Sequence, residues 1–445
     1  MTASRVDTAP SGPLAPSLFT APIAPLGRLP TSSLAAYGLF GMPLAMAALP
    51  VYVHLPKFYG GQLGVDLAAL GVLLLLLRLA DGVLDPLLGV FSDRARSRKT
   101  LIAFAAPVLA LGMVALFVPV PREEGPLLAW LGVSLALVYL AFSVATINHN
   151  AWGAELSADP VERTRITAVR EGLALIGVIM ASVAPTLFGT PGNPESGLRT
   201  YAWCFAGFTL CCTLVMLRAP AAPRPTIPPG SVWSGMRAPL ADPLFRRLLL
   251  VFLVNGIASA IPATLVLFFI ADVLREEARQ GLFLALYFIA GAAGMPLWVR
   301  LSARIGKARA WAVGMVAAIV AFVWAWGLGP GDTAAFATIC VMSGLALGAD
   351  LALPPSLLAD VIGRDGRAHA TGAHFGVWTL ATKLNLALAA GVALPLLAAL
   401  GYAPGARDPS ALAALAFVYA ALPCLLKIGA VAALFRFQSA ARRSA

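Results

Sequence analysis

The stretch DLAALGVLLLLLRLADGVLDPLLGVF, residues 66–91, is long and apolar enough to cross a membrane, yet it carries charged side chains along its length. At 1.5 Å per residue, a helix of this length spans a hydrocarbon core of about 30 Å. Arg78, Asp81 and Asp85 follow one another at spacings of three and four, so they share one face of a helix. Each such charge costs about 2.5 to 3.5 kcal/mol at the middle of a membrane helix, which indicates a functional role.

The composition of the whole chain indicates an integral membrane protein. Of its 445 residues, 59% are hydrophobic and only 12% are charged, and the mean hydropathy is +0.83. An ordinary water-soluble domain carries about 25% charged residues. Apolar runs long enough to span a membrane as helices recur, and strands are disfavoured because period-two alternation is absent. The twelve runs begin near Ser33, Asp66, Leu101, Pro126, Thr167, Thr200, Leu248, Gly281, Ala310, Thr333, Thr371 and Ala411.

The net charge is +11, and the basic residues lie in loops between the apolar runs, not in a patch typical of nucleic-acid binding. Lysines and arginines are frequent in the tails and in alternate loops, such as 94–99 and 300–309. The remaining loops hold only Lys57, Arg122, Arg199, Arg275, Arg279 and Arg407. Because cytoplasmic loops carry the excess of basic residues, both termini are predicted to face the cytoplasm. We therefore expect a multi-pass protein of a bacterial-type inner membrane, in contact with the lipid bilayer and not with nucleic acid.

Two segments outside the apolar runs divide the chain. Residues 1–32 are rich in Pro, Ala and Ser and lack the cationic start of a signal peptide, which predicts a disordered cytoplasmic tail. Residues 218–247 are basic and rich in Pro, which predicts a cytoplasmic linker. This division leaves a six-helix bundle at 33–217, a second six-helix bundle at 248–437 and a short cytoplasmic tail at 438–445.

A short repeat relates the two halves of the chain. PLLGVFSDRARSRK, from Pro86, and PLWVRLSARIGKAR, from Pro296, share Pro, Leu, Ser, Arg and a terminal basic residue in register. The duplication predicts two bundles related by an axis along the membrane normal, with a substrate site between them. Nothing in the sequence resembles a phosphate-binding loop, a metal cluster or a nucleophile with its base, so neither an enzyme activity nor a cofactor is expected.

Longer stretches around this repeat resemble a known family. GVFSDRARSRK resembles a loop signature of the major facilitator superfamily. RLADGVLDPLLGVFSDRARSRK, AWGAELSADPVERTRITAVREGLALIGV and LPPSLLADVIGRDGRAHATGAHFGVWTLATKL resemble its glycoside–pentoside–hexuronide:cation symporters, the melibiose permease relatives. The resemblance implies an all-α integral membrane protein with twelve transmembrane helices in two six-helix bundles, the major facilitator fold. It also implies cation-coupled symport of a small organic solute, such as a glycoside, by alternating access.

The resemblance implies roles for particular polar and aromatic residues. It places a cation site at Asp81, Asp85 and Asn148, and it places Trp152, Arg170 and Lys383 at the substrate site. The residues alone leave alternatives open, namely an Arg78–Asp81 ion pair and a salt bridge between Arg170 and its neighbour Glu171. Trp152 and Trp378 could stack on a sugar ring or pack between helices.

Other charged residues fall at the helix ends or inside other runs. The resemblance implies that the signature loop latches one side of the membrane, with Asp93, Arg94 and Arg304 as the latch residues. Asp350 and Lys427 are further charges inside apolar runs, and the sequence leaves open whether they pair.

Departures from the family pattern bear on the ion and the solute. The first run, YGLFGMPLAMAALPVYVHLP, has no carboxylate where the resemblance implies an aspartate that binds sugar hydroxyls. Asn148 stands where the family pattern has an acid, and Leu84 stands where it has a polar residue. A sodium ion at Asp81 and Asp85 would need several oxygen ligands, whereas a proton needs one carboxylate, so protons are favoured as the coupling ion. The alternatives are a transporter of a non-sugar, drug- or lipid-like amphiphile, or a non-transporting assembly or sensor protein. We expect a monomer.

Overall fold

The computed structural model describes residues 28–121, 123–189, 194–222, 232–364 and 370–443. Within these ranges the chain is helical and contains no β-strand, which confirms the predicted class. Eleven helices are long and apolar enough to cross a membrane, and the charged helix from residue 67 adds a twelfth of 28 residues. The helices are α1 (Thr31–Leu49), α2 (Leu67–Arg94), α3 (Arg98–Phe117), α4 (Glu124–Glu155), α5 (Pro160–Phe188), α6 (Pro194–Met216), α7 (Pro243–Leu274), α8 (Gln280–Ile305), α9 (Lys307–Gly327), α10 (Thr333–Arg364), α11 (Thr371–Ala399) and α12 (Pro409–Arg442).

Polar residues just outside the apolar runs set where several helices begin. Asp66, Asp159 and Asp242 each accept a hydrogen bond from a backbone N–H two or three residues ahead, at the start of α2, α5 and α7. These carboxylates satisfy donors that the helix itself leaves unpaired. A proline follows directly at the first position of α5 and α7, where no donor is needed.

The helices extend beyond several boundaries expected from the apolar runs. α5 begins at Pro160 and not near Thr167, because its first two turns are polar but still helical. α7 begins at Pro243, inside the segment predicted to be linker, and α12 continues to Arg442, into the segment predicted to be a tail. Most of the predicted N-terminal tail lies outside the described residues.

The segment between the two bundles contains a helix of its own. Residues Val232–Ala241 form this linker helix, which packs against α2, α7 and α11. A Cβ added to its Gly235 would lie 3.0 Å from Val90 Cγ1, so the linker helix lies close against α2. The linker helix lies on the basic face, which we define as the side of the molecule that carries the loops at 95–97 and 156–159 and Gly306.

The two bundles meet where α2 packs on α11 and where α5 packs on α8 and α10. Near the basic face, the backbones of α2 and α11 approach through glycines. A Cβ on Gly376 would lie 2.6 Å from the carbonyl oxygen of Asp85, and one on Gly372 would lie 2.5 Å from that of Gly89. Real Cβ atoms do not come this close to oxygen, so the contact requires residues without a side chain.

Replacing Gly376 by Leu should therefore push α2 and α11 apart at the basic face. We expect the distance between spin labels at positions 96 and 309, measured by pulsed electron paramagnetic resonance, to shift towards longer values. Gly429→Leu is the matched control, because nothing lies within 4 Å of a Cβ at that exposed position of α12. An unchanged distance distribution in Gly376→Leu would contradict the close-packing argument.

Candidate functional site

The charged face of α2 meets a lysine from the other bundle. Lys383, on α11, places its Nζ 2.6 Å from Asp81 Oδ2 and 2.8 Å from Asp85 Oδ2. Asp81 and Asp85 are buried, and only 12% of the Lys383 side chain is exposed. The structure thus brings together three of the predicted site residues, although Lys383 lies about 300 positions from the two acids in the chain.

A serine from a third helix completes this group. Ser143, on α4, donates a hydrogen bond to Asp81 Oδ1 over 2.9 Å and accepts one from Lys383 Nζ over 3.0 Å. The ammonium group thereby uses all three of its donors on oxygen atoms of this site. We call Asp81, Asp85, Ser143 and Lys383 the acid–lysine cluster. The sequence interpretation missed Ser143, whose only signal was a hydroxyl inside an otherwise apolar stretch of α4.

The charges of the acid–lysine cluster do not balance. With all groups ionised, two carboxylates face one ammonium, which leaves one net negative charge in a buried position. A buried charge without compensation costs several kcal/mol. Uptake of one proton or one monovalent cation would neutralise the cluster. The geometry is therefore suited to reversible binding of a single positive charge.

Asn148, expected beside the two acids, lies in a different network. Its Oδ1 accepts a hydrogen bond from Ser92 Oγ over 2.6 Å, and its Nδ2 donates to the carbonyl of Val144 over 2.8 Å. Asn148 is five residues beyond Ser143, which corresponds to about 7.5 Å along the helix and to a different face. The α4 residue that contacts the acids is therefore Ser143.

Asp93 joins the two bundles at the basic face. Its Oδ1 and Oδ2 accept hydrogen bonds from the backbone N–H groups of Gly372 (2.6 Å) and Ala373 (2.8 Å). These donors lie at the N-terminus of α11, where a carboxylate is stabilised both by unpaired N–H groups and by the helix dipole. An α2 residue thus caps a helix of the other bundle, and the latch role of Asp93 stays a prediction.

The basic partner of Asp93 is not the predicted one. Arg98 Nη2 lies 2.9 Å from Asp93 Oδ1 and 2.6 Å from Glu155 Oε1, and Arg98 is 3% exposed. Arg94 and Arg304 are exposed. Arg94 follows Asp93 directly, so its side chain points about 100° away around the helix. Arg98, at the start of α3, is directed back towards the end of α2.

A second link joins the bundles at the basic face. Arg163, on α5, donates hydrogen bonds to the Ala359 carbonyl (3.1 Å) and to Asp360 (3.2 Å) on α10. Lys307 lies 2.6 Å from the other oxygen of Asp360. The Thr164 and Ser356 hydroxyls lie 3.0 Å apart across the same interface. The basic face is therefore closed by polar contacts at both α2–α11 and α5–α10.

The two predicted aromatic substrate residues are packed inside the protein. Trp152 is buried edge-on against Tyr37, with ring centroids 5.1 Å apart. Trp378 is buried and stacks on Phe252 at 3.9 Å. In this conformation both rings make the helix-packing contacts that the sequence left as the alternative to stacking on a sugar.

Arg170, predicted at the substrate site, forms an ion pair with its neighbour. Its Nη2 lies 2.5 Å from Glu171 Oε1, and Arg170 is buried while Glu171 is partly exposed. A Cβ on Gly41 would lie 3.3 Å from Arg170 Cγ, so the arginine also packs on α1. Of the four predicted substrate residues, the structure brings only Lys383 to the acid–lysine cluster.

Two six-helix bundles with a buried ionisable cluster between them define an integral membrane protein of the major facilitator fold. The sequence profile of the family described as "MFS/sugar transport protein" matches residues 34–439, and the chain belongs to this family.

Curated relatives and solved structures agree with this assignment. The inner membrane symporter YicJ of Escherichia coli (strain K12) is 26% identical over 138 residues, 30% of this chain and 30% of the relative. The isoprimeverose transporter of Lactiplantibacillus pentosus is 23% identical over 177 residues, 39% of this chain and 37% of the relative. The matched segments span about a third of the length of these relatives. They confirm the resemblance to the glycoside–pentoside–hexuronide:cation symporters.

The fold is shared with solved transporters of low sequence identity. The crystal structure of a bacterial homologue of the iron transporter ferroportin, in an outward-facing state, matches with a TM-score of 0.70 at 16% identity, over 92% of this chain and 99% of that one. The fucose:proton symporter of E. coli matches with a TM-score of 0.67 at 13% identity, over 89% of this chain and 98% of that one. At these identities the likeness shows the fold alone.

The charge imbalance makes Lys383 a sensitive position for stability. Lys383→Met leaves two buried carboxylates without an ammonium, and we expect it to cost about 3 to 5 kcal/mol of stability at neutral pH. Part of the loss should be recovered as the pH falls, because proton uptake neutralises the acids in the folded state. The measurement is thermal unfolding of the purified protein across a pH series. The double variant Lys383→Met/Asp81→Asn should lose less at neutral pH, and equal, pH-independent losses in both would contradict the argument.

Replacement of single arginines compares the observed Asp93–Arg98 ion pair with the predicted latch residue Arg94. Arg98→Ala leaves Asp93 and Glu155 buried without their cation, so we expect a loss of about 3 to 5 kcal/mol. Arg94→Ala removes an exposed charge from the same loop and should cost about 1 kcal/mol or less. Thermal unfolding in detergent compares the two variants directly. A larger loss of stability in Arg94→Ala than in Arg98→Ala would contradict this expectation and favour Arg94 as the partner of Asp93.

Proposed function

We propose that the protein is a cation-coupled symporter that carries a small sugar-like solute across a bacterial-type inner membrane by alternating access. One observation supports this most strongly: Lys383 of one bundle occupies the position between two carboxylates of the other bundle. The salt bridges connect the charge state of α2 directly to the interface that must open and close. A scaffold or sensor protein would gain nothing from the insertion cost of these charges.

In the proposed cycle, a coupling cation competes with Lys383 for the two acids. A proton bound to Asp81 or Asp85 removes one of the charges that hold the lysine, and the cross-bundle salt bridges weaken. Solute binding between the bundles and loss of these salt bridges together favour rocking to the other state. The family and fold are those of transporters, and we propose no enzymatic step.

The charge distribution supports an orientation for this cycle. We propose that the basic face lies in the cytoplasm together with both termini, because the positive-inside rule favours basic loops on that side. The Asp93–α11 and Arg163–α10 contacts then close the cytoplasmic side. In this orientation the conformation described here is closed to the cytoplasm. We propose that a single chain is sufficient, since each bundle supplies one part of the acid–lysine cluster.

Protons are the proposed coupling ion, with sodium as the alternative. The oxygens of the acid–lysine cluster come from two carboxylates and one serine hydroxyl. The amide oxygen of Asn148, which would have added a ligand, accepts a hydrogen bond from Ser92. Sodium favours several oxygen ligands, whereas a proton requires a single carboxylate.

A second solute class is favoured by the surroundings of the site. α1 lacks a carboxylate, and Trp152 and Trp378 are packed against protein rings, so the contacts expected for sugar hydroxyls and sugar rings are reduced. These features favour a non-sugar amphiphile, drug- or lipid-like, as the alternative solute.

Uptake into proteoliposomes tests the proposal. Glycosides, hexuronates and amphiphiles are supplied as a labelled panel, with an inward proton gradient, an inward sodium gradient or neither. We expect gradient-dependent accumulation of one solute class, and Asp85→Asn should abolish it while the protein remains folded. Glu277→Gln is the matched control, because it removes an exposed carboxylate outside the interface. Coupled accumulation that survives in Asp85→Asn would exclude this acid from the coupling step.

A further inference from the structure

The C-terminal bundle contains a second buried ion pair, formed by residues that do not belong to the acid–lysine cluster. Lys427, on α12, places its Nζ 2.8 Å from Asp350 Oδ2 on α10 and 2.8 Å from Asn255 Oδ1 on α7. Asn255 and Lys427 are buried, and 12% of the Asp350 side chain is exposed. The pairing of Asp350 with Lys427, left open by the sequence, is thus present.

The carboxylate of this pair has its hydrogen-bonding capacity filled. Oδ1 of Asp350 accepts from Asn255 Nδ2 (3.0 Å) and from Trp311 Nε1 (2.8 Å). Oδ2 accepts from Lys427 and from Ser259 Oγ (3.3 Å). A carboxylate with four donors offers no further binding capacity.

Other polar groups beside the pair remain available. Lys427 uses two of its three N–H donors on Asn255 and Asp350, so one is left. The Tyr287 hydroxyl has no hydrogen-bond partner among the described residues. Ser343 Oγ donates to the Ile339 carbonyl over 2.6 Å and keeps its acceptor capacity. The available groups are one N–H, one phenolic hydroxyl and one hydroxyl oxygen.

These groups line a cavity of about 180 Å³ inside the C-terminal bundle. Its walls come from α7, α8, α9, α10 and α12 and are mainly apolar. An apolar cavity of about 150 Å³ in another protein holds a benzene molecule, so this cavity has room for one ring. Aromatic side chains form much of the wall, namely Phe283, Phe288, Phe322, Phe336 and Tyr419.

The helix geometry keeps one of these rings in the wall. Tyr419 belongs to a π-helical turn, Phe417–Ala421, that interrupts α12. Its ring stacks on the ring of Phe269, with the ring centroids 4.1 Å apart. π-helical turns inside α-helices are frequent at functional sites. Phe283 and Phe336 pack edge to face at 4.9 Å on the other side. The aromatic wall is therefore built from fixed rings.

We infer that this cavity is a second ligand site, for a small uncharged molecule that contains one ring and one hydroxyl group. The ring fills the aromatic part of the cavity, the ligand hydroxyl oxygen accepts a hydrogen bond from the free N–H of Lys427, and the ligand hydroxyl donates its proton to the Tyr287 hydroxyl oxygen. A charged ligand is excluded because Asp350 and Lys427 already neutralise each other, so an added charge would be buried without a counter-ion. All the lining residues belong to the C-terminal bundle, so the site is distinct from the cluster proposed for coupling.

Binding of three ring compounds to the purified full-length protein tests this site. The probes are 2-phenylethanol, ethylbenzene, which lacks the hydroxyl, and phenylacetate, which is charged. Saturation-transfer nuclear magnetic resonance measures their dissociation constants in detergent, with empty micelles as the blank. We expect saturable binding of 2-phenylethanol, at least tenfold weaker binding of phenylacetate and about fivefold weaker binding of ethylbenzene.

Two variants locate the binding. Ala318→Phe places a ring in the cavity and should abolish binding of 2-phenylethanol, whereas Ala317→Phe places the same ring at an exposed neighbouring position and should not. Tyr287→Phe keeps the cavity and should reduce the preference for 2-phenylethanol over ethylbenzene, which remains informative if Ala318→Phe fails to fold. Equal binding of all three probes would overturn the proposal. Undiminished binding of 2-phenylethanol in folded Ala318→Phe, or an unchanged preference in Tyr287→Phe, would also overturn it.

Discussion

The salt bridges from Lys383 to Asp81 and Asp85 are the interaction on which the rest of the structure depends. They cross the interface between the two bundles at the middle of the membrane-spanning helices, and they lie where an unpaired charge is most costly. The close approach of Gly376 to the Asp85 carbonyl holds α11 near enough for the lysine to reach both acids. Packing and charge therefore act at the same place, and in the proposed cycle a positive charge at the acids replaces the lysine when α2 separates from α11.

The polar contacts at the basic face also join α2 to α11, but they use different groups. There one guanidinium, that of Arg98, faces the two carboxylates of Asp93 and Glu155, so the ratio of charges is the same as in the acid–lysine cluster. Asp93 also accepts hydrogen bonds from backbone N–H groups at the N-terminus of α11, which stabilise its charge. The proposed cation acts at the acid–lysine cluster, and the Asp93 contacts join the two bundles at the basic face.

Much of the architecture was predictable because its signals are local. Runs of apolar residues gave the helices, and the three- and four-residue spacing placed Asp81 and Asp85 on one face of α2. What could not be predicted depends on contacts between distant helices. Ser143 is one hydroxyl in an apolar helix, a residue type that usually bonds within its own helix, as Thr379 does with the Phe375 carbonyl. Arg98, and not Arg94, pairs with Asp93 because the direction of α3 relative to α2 decides which arginine reaches this carboxylate. Asn148 was assigned from the family pattern, and its amide is used by Ser92.

The linker helix changes how the connection between the bundles should be understood. It does not act as a loose tether, because Val232–Ala241 lies against α2 and α11 on the same side as the Asp93 contacts. Any motion that separates those two helices must also displace or carry along this helix. Under the proposed cycle the linker helix moves together with α2 or α11, and a protein bound to the linker helix would hold the basic face closed.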